Sequence, residues 1–458
     1  MTTAISNFFR SSIVFWMAWI IIPLIMEIIP AIVDAFILVK RKLVRKKEAE
    51  LEYFPEITLI IPVYNSADSL HRCIESVYRS DYPKHLIYML LVNNQSQDNS
   101  FEIFTQCQQE FPELTMNWVE AKQGKSKALN LALFNSYGKY IIHIDSDGTL
   151  HPRAITNVVT RFEQNLDVDC MTGTIMTNPQ MIDETKGFFK RQLRRMEFFE
   201  YCQAFLAGRN FQSEFNSIYT LSGAFSAFRK SAILKTQLYN TDTVCEDTHV
   251  TFQIRDRLKD KVSICDDAIF FVDPIEDMNQ LYTQRQRWQK GEMEVAHMFL
   301  QGKMEAVKGF ASNFVIRLLM YDHTFAFPRM IWYFALICLS FMNYPMSLIL
   351  QSLGLIYVLY VVSSLLFYFN ISSFLTEFKD LKRYYMRKWY HIFTLPLFNF
   401  IVFWFRFAGI INAIRGEQSW RSKNFTEEWK SVRGIIKHDF GGWNRLVKKL
   451  KGNVNRNE

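Results

Sequence analysis

The chain has 458 residues, 49% of them hydrophobic, and a formal charge of +8. That is room for one large domain plus membrane segments. The positive charge is modest and sits in short patches, which favours an anionic membrane surface or a phosphate ligand over a nucleic-acid groove. No RNA-binding or helix-turn-helix signature is present, so no nucleic-acid partner is expected. The seven cysteines are scattered and lack CxxC spacing. This points to a reduced, cytosol-facing domain without structural zinc.

The apolar runs lie at the two ends of the chain. Residues 12–39 form a stretch long enough to span a bilayer with tilt, expected to kink at Pro23 and Pro30. Glu27 and Asp34 lie inside it; the plain expectation is that Asp34 sits near the interface and Glu27 faces protein. Lys40, Arg41, Lys42, Arg45, Lys46 and Lys47 follow, which makes this end cytoplasmic by the positive-inside rule.

A soluble region comes next. Residues 57–63 (ITLIIPV) read as a buried parallel strand from their β-branched run. Strands are also expected at 86–92, 116–120 and 140–144, and helices at 69–78, 100–109 and 125–134. Strand-helix alternation at this spacing predicts a parallel α/β sheet. Ligands of such sheets bind outside the carboxyl ends of the strands, where Asn65, Asn93, Asn94, Asp145 and Asp147 fall. Residues 186–205 combine aromatic and basic residues at helical spacing. One reading is a helix packed on the sheet or lying on lipid headgroups; a place beside a bound ligand is about as fitting.

Beyond the soluble region, 293–309 reads as an amphipathic interfacial helix. Residues 321–342, 346–369 and 390–414 are candidate spans, and Lys379, Lys382, Arg383, Arg387 and Lys388 mark the loop before the last one as cytoplasmic. The tail from Arg415 is basic and carries Trp420, Trp429 and Trp443. One span before the soluble domain and three after it would put this tail outside, whereas its charge prefers the inside. Either 390–414 is a re-entrant hairpin broken near Pro396, or 311–320 belongs to another membrane element.

Three polar motifs carry the chemistry. Asp145-Ser146-Asp147 ends an apolar strand, and Glu246-Asp247 forms a second acidic pair. A nucleotide-sugar donor carries two phosphates whose charge rises as the sugar leaves. Mg²⁺ or Mn²⁺, held by Asp147 and Asp145, would neutralise it. Asp-Ser-Asp-Gly is also an ordinary turn after a strand. Two adjacent carboxylates raise one pKa, as a general base needs, and the same pair can cap a helix near Thr248. Gln284-Arg285-Gln286-Arg287-Trp288 sets an amide, a cation and a ring on nearly one helix face. An ordinary amphipathic helix, with Arg287 solvated and Trp288 at the membrane, has the same pattern. Lys125 either reaches phosphate or is a surface lysine.

With these residues in view, the chain resembles the processive family-2 glycosyltransferases: poly-N-acetylglucosamine, hyaluronan, chitin and cellulose synthases, the first being nearest. The motifs cover 55–290 and occur in the family's order. Ile61-Pro62-Val63-Tyr64-Asn65 resembles the opening strand and turn, and Gly124-Lys125-Ser126-Lys127-Ala128-Leu129-Asn130 the GKxxALN segment. Asp145-Ser146-Asp147, Ser222-Gly223-Ala224-Phe225, Cys245-Glu246-Asp247 and the QxxRW box follow.

The resemblance implies an α/β fold of the GT-A type, a mostly parallel sheet domain inserted between transmembrane helices. It implies donor binding by Pro62, Tyr64, Asn65, Asn94, Lys125 and Asp145. It makes Asp247 the base, with Glu246 beside it, and Gly223, Gln284, Arg287 and Trp288 the border of acceptor and diphosphate. Two positions depart from the pattern: Asn94 replaces an aspartate that binds uracil, and Ser66 replaces a glutamate. Without a covalent enzyme nucleophile, one base implies single displacement with inversion.

The expected organisation is a membrane helix and basic segment at 1–48, a cytoplasmic catalytic domain at 49–292, an interfacial helix and membrane region at 293–414, and a basic tail at 415–458. The expected activity is polymerisation of a β-linked extracellular polysaccharide from a UDP-N-acetylglucosamine or UDP-glucose type of donor. The expected setting is a multi-pass protein of the cell membrane, among its lipids and with room for a small membrane subunit. Two other readings remain at this point: a non-processive enzyme acting on a lipid acceptor, and an inactive partner that binds nucleotide-sugar or polysaccharide.

Overall fold

A computed structural model describes residues 12–44, 51, 53–300, 327–342 and 345–414. The apolar run ITLIIPV forms β1 (Ile57–Val63), with every residue buried. It lies between two parallel neighbours, β2 (Ile87–Asn93) and β4 (Tyr140–Ile144). Burial on both faces is what a continuous β-branched strand requires. Pro62 has no backbone N–H, yet the β1–β4 ladder ends at Ile60, so none is wanted on that side. Beyond β2 lies β3 (Thr115–Glu120), also parallel.

The sheet has eight strands in the order β3-β2-β1-β4-β7-β6-β8-β5. The added strands are β5 (Gly148–Leu150), β6 (Val168–Thr177), β7 (Phe225–Arg229) and β8 (Lys261–Val272). β7 runs antiparallel to β4 and β6, while β6 and β8 are parallel. The chain leaves β1 for β2 and β3 on one side and returns with β4 on the other. The β1–β4 boundary is therefore the switch point at which such sheets open a crevice. Only Asp145, Ser146 and Asp147 separate β4 from β5, although β5 stands at the far end of the strand order. The sheet must curl until its last strand comes back beside β4.

The N-terminal segment is helical through Ser12–Pro23 and Ile29–Val44, joined by a wider π turn, Leu24–Ile28, just after Pro23. A break of that kind is expected at a proline. Glu27 and Asp34 are both buried against protein. Among the described residues three helices are long and apolar enough to cross a membrane: Trp19–Lys40, Met346–Glu377 and His391–Asn412. The segment expected at 390–414 is one continuous helix, His391–Ile414, with Pro396 inside it, and not a hairpin. Proline so near the start removes few helix bonds.

The expected interfacial helix at 293–309 is, as far as Leu300, the continuation of a 23-residue helix, Met278–Leu300, that carries the QxxRW box. It runs through position 292 without a break. Within 321–342 the described part is a helix at Phe327–Phe341. Arg45, Lys46, Lys47, residues 311–320 and the tail from Arg415 lie outside the described residues. The soluble and membrane-side parts share a core in which Phe198, Phe199 and Leu281 meet Tyr368, Tyr385, Phe398 and Phe405.

Candidate active site

Strand-end loops build the site. Asn94 follows β2, and its Oδ1 accepts the Gly124 N–H at 2.6 Å. Gly124 has φ of +128°, a region that suits glycine, and starts the Lys125–Phe134 helix. Lys125 is thereby aimed across the crevice. Its Nζ lies 2.5 Å from Asp145 Oδ1 and 3.6 Å from Glu246 Oε1, and it donates to the Gly223 carbonyl at 3.4 Å. Burial opposes the charge on Lys125, but Asp145 and Glu246 outweigh it and hold the ammonium well above its ordinary range. Beneath, burial pushes His143 down to about 3, so its ring is neutral, with Nε2 3.9 Å from Asp145 Oδ1.

The Asp145-Ser146-Asp147 turn is anchored through its middle residue, whose hydroxyl lies 2.7 Å from that of Ser66. Ser66 thus fills the place of the family's glutamate with a hydroxyl bond inside the protein. Asp147 opens to solvent at the mouth of the crevice. The protein crowded around it still removes enough water to push its carboxyl up to about 6, and Asp145 and Asp273 add to the shift. Asp273, directly after β8, is a third acid here; it pairs with Arg72 at 2.9 Å.

Glu246 and Asp247 occupy the first turn of the Glu246–Phe252 helix. Asp247 Oδ2 accepts the Gly223 N–H at 3.0 Å, and Oδ1 accepts the Thr248 N–H at 2.6 Å. A Cβ on Gly223 would stand 3.0 Å from Asp247 Oδ2, which explains the glycine. Burial raises both carboxyls; Lys125 opposes the shift in each. The pair therefore both opens a helix and faces the crevice.

On the Met278–Leu300 helix the inward cation is Arg285, not Arg287. Arg285 is fully buried, donates to Gln284 Oε1 at 2.6 Å, and pairs with Glu200 at 2.5 Å. Its guanidinium lies 4.3 Å from the centre of the Trp288 ring and 5.3 Å from that of Tyr201. Arg287 is exposed. It nevertheless lies close enough to Cys245 to oppose the burial that raises that thiol, which puts it beside the acidic pair. Trp288 is half-buried against Tyr201 and Phe205. The helix touches the acidic loop directly: a Cβ on Gly291 would overlap Cys245 Sγ at 2.0 Å.

Lys125, Asp145, Gly223, Glu246 and Asp247 thus form one bonded network. Asp147 joins it by charge. Tyr64 is exposed at the lip, and Asn65, with φ of +49°, accepts the Gln97 N–H at 2.8 Å. Gln284 turns to Arg285 and the helix interior. Sequence reasoning missed Arg285, Glu200 and Asp273. The only signal for Arg285 was its i, i+3 spacing from Trp288.

Residues 58–236 match the family model Glycosyl transferase family 2. The chain carries a family-2 glycosyltransferase domain. It is 25% identical over 249 residues to a poly-beta-1,6-N-acetyl-D-glucosamine synthase of Staphylococcus epidermidis, covering 54% of this chain and 57% of that protein. A synthase of the same description from Staphylococcus aureus (strain MSSA476) is 23% identical over 261 residues, covering 56% and 59%. The chain therefore spans somewhat more than half the length of these curated relatives. In fold it is similar to a mannosyltransferase from Pyrobaculum calidifontis solved with GDP-Man and Mn²⁺. The TM-score is 0.58 at 16% identity, over 88% of this chain and 99% of that one. The α/β domain is of the GT-A type, with a mostly parallel, curled sheet.

Proposed function

We propose that this chain is a membrane-embedded, inverting glycosyltransferase. It moves sugar from a nucleotide-sugar, of the UDP-N-acetylglucosamine or UDP-glucose type, to a growing β-linked extracellular polysaccharide. The observation that carries this reading is the junction at Lys125, where the loop after β4 brings Asp145 and the first turn of the Glu246–Phe252 helix brings Glu246 to one cation, with Asp247 held beside it by the Gly223 N–H. Kinship with poly-N-acetylglucosamine synthases supports the polymer and the donor class.

Asp247 is the base. Its two oxygens are oriented by backbone N–H groups, and burial raises its basicity above that of a free carboxylate. The acceptor hydroxyl attacks the anomeric carbon as Asp247 takes its proton. The bond from that carbon to the diphosphate oxygen breaks on the opposite face, and the diphosphate leaves with the electron pair. Lys125 and Arg287 offset its growing charge, Arg287 through a fork of donors. An α-linked donor then yields a β-linked product. Trp288 offers a flat face to the terminal acceptor sugar, and Tyr64, Asn65 and Asn94 border the nucleotide.

Asp147 and Asp145 would hold Mg²⁺ or Mn²⁺. Burial, with Asp145 and Asp273 adding to it, pushes the Asp147 carboxyl up, which a cation would relieve. Among the described residues no group of three His, Cys, Asp or Glu is placed to hold an ion by itself. Bound there, the ion supplies charge neutralisation at the leaving diphosphate. The Met278–Leu300 helix lies against the last membrane helix, so the acceptor site stands at the cytoplasmic mouth of the membrane region.

The test is to incubate the purified chain in lipid with radiolabelled nucleotide-sugars and Mn²⁺, then size the products. A long, chelator-sensitive product from one donor is expected. A single-sugar glycolipid would replace polymerisation with lipid glycosylation, and no transfer from any donor would refute the enzyme.

A further inference from the structure

Between the two membrane helices Met346–Phe374 and His391–Ile414 lies a short helix, Lys379–Arg387, with two distinct faces. Leu381, Tyr384 and Tyr385 on one face pack on the soluble domain: Tyr385 stacks on Phe199 at 4.6 Å, and Tyr384 meets Phe198 edge-on at 5.1 Å. Lys388 pins the end of this face to Asp183 at 3.0 Å, and Asp183 also takes Arg195 at 3.2 Å.

The opposite face is a shallow cleft lined by Lys379, Lys382, Arg383, Met386 and Arg387. These positions follow i, i+3, i+4, i+7 and i+8, a single stripe. The stripe carries four cations and no acid. Asp380 stands beside it and reaches only Arg383, at 3.5 Å. A merely solvated helix face mixes its signs; this one does not. Its place is fixed by the chain, a few residues from a candidate span on either side. Trp389 and Tyr390, aromatics of the kind that settle at a bilayer surface, are exposed just past it.

We infer that this cleft binds the phosphate of an anionic lipid headgroup at the cytoplasmic leaflet. Arg383 and Arg387 offer forked donors to the phosphate, Lys379 and Lys382 add charge, and Met386 meets the glycerol and upper acyl chain. Because the other face of the helix grips the soluble domain, the bound lipid fixes the domain's height above the membrane. The inference does not depend on the reaction, only on the reading of the flanking helices as spans.

The test uses the full chain reconstituted in phosphatidylcholine bilayers with trace spin-labelled phosphatidylglycerol or phosphatidylcholine. Electron paramagnetic resonance then measures the share of each label immobilised by the protein. The expected result is a severalfold preference for phosphatidylglycerol that weakens with salt. Lys382→Gln/Arg383→Gln/Arg387→Gln should cut the preference at least twofold, Lys382→Arg/Arg383→Lys/Arg387→Lys should cut it less, because the charge stays while the forks go, and a remote Lys235→Gln/Lys259→Gln pair should keep it. A wild-type chain with no preference, or a triple glutamine variant that retains it, overturns the inference. So does loss of the preference in about 10 mM inorganic phosphate, which would mark a site for soluble anions. Absence of any immobilised lipid would instead refute the spans.

Discussion

The crevice and the Gln-Arg helix beside it hold their charges in opposite ways. In the crevice the backbone does the placing: Asp247 rests on the N–H groups of Gly223 and Thr248, and Asn94 on that of Gly124. On the helix one buried charge places another, since Arg285 is held by Glu200 and by rings of Trp288 and Tyr201. A carboxylate oriented by backbone donors can lose its charge while the fold persists. A buried ion pair cannot lose one member without stranding the other.

The sharpest break in this comparison is Asp247→Asn. The amide oxygen can still accept one of the two N–H bonds, so the unfolding temperature and nucleotide binding should change little. Turnover should fall by about 10²–10⁴, the usual worth of a general base, and appear in kcat. Normal turnover with weakened donor affinity would make Asp247 a binding residue.

Next comes Arg285→Met, which fills similar volume but leaves Glu200 buried without its cation. The expected cost is about 3–5 kcal/mol of stability, read as a large drop in unfolding temperature in detergent. Arg285→Lys should recover part of it. If Arg285→Met folds as well as wild type and only kcat falls, the arginine serves the reaction and not the helix.

These two sites also differ in how much of them the sequence disclosed. β1, β4 and the Lys125–Phe134 helix fall where the residue pattern put them, because a β-branched run buried on both faces has no competing reading. The strands after Ile144, β5 to β8, were not assigned. β6 is fully buried in its second half, yet it carries Thr172, Thr174 and Thr177. Two of these hydroxyls bond to carbonyls, Thr172 at Phe225 and Thr174 at Asp266, so burial left a mixed sequence and not a continuous apolar run. The acids of the crevice were legible as motifs because each set is contiguous in sequence, Asp145 to Asp147 on the turn after β4 and Glu246-Asp247 at a helix start. Arg285 was not, because what distinguishes it from Arg287 is Glu200, on another helix and 85 positions away.

A pH series sharpens the contrast. Burial pushes Glu197 up to about 7 from an ordinary 4.5; Glu200 adds, while Arg285 and the Ile275 N–H oppose. Between those values the folded chain binds a proton that the unfolded chain releases. Its contribution is therefore complete below about 4.5 and is lost as pH rises through about 7. The full span corresponds to about 3 kcal/mol. Unfolding temperature should fall between pH 5 and 8, and Glu197→Gln should flatten the part due to this residue. Asp147, raised to about 6, leaves a smaller slope of the same sign. An unchanged slope in Glu197→Gln would mean that the carboxyl is ionised throughout.

The Gln-Arg helix is also held by the His391–Ile414 helix. A Cβ on Gly409 would stand 2.7 Å from the Gln286 carbonyl oxygen, whereas one on Gly354 meets nothing within 4 Å. Gly409→Ala should therefore cost about 1–3 kcal/mol, as overpacking does, and disturb transfer by shifting the Gln-Arg helix. Gly354→Ala should be silent. Equal behaviour of the two would separate the His391–Ile414 helix from the site.

The smallest effects are expected in the middle of the Gln-Arg helix, where Arg287 and Trp288 are adjacent and are proposed to have different tasks. Trp288→Ala removes a ring that lies over Arg285 and would face the acceptor sugar, at a cost of about 1 kcal/mol in acceptor binding. Donor affinity should survive, so hydrolysis of donor to water persists while transfer to sugar declines and products shorten. Arg287→Lys keeps the charge but loses the fork, so both hydrolysis and transfer should slow together through the leaving diphosphate. The ratio of hydrolysis to transfer thus rises in the first variant and stays level in the second. A third pattern, in which Trp288→Ala lowers both rates equally along with the unfolding temperature, would assign the ring to packing between Tyr201, Phe205 and Arg285. Its closeness to the acceptor path would then be a consequence of that packing.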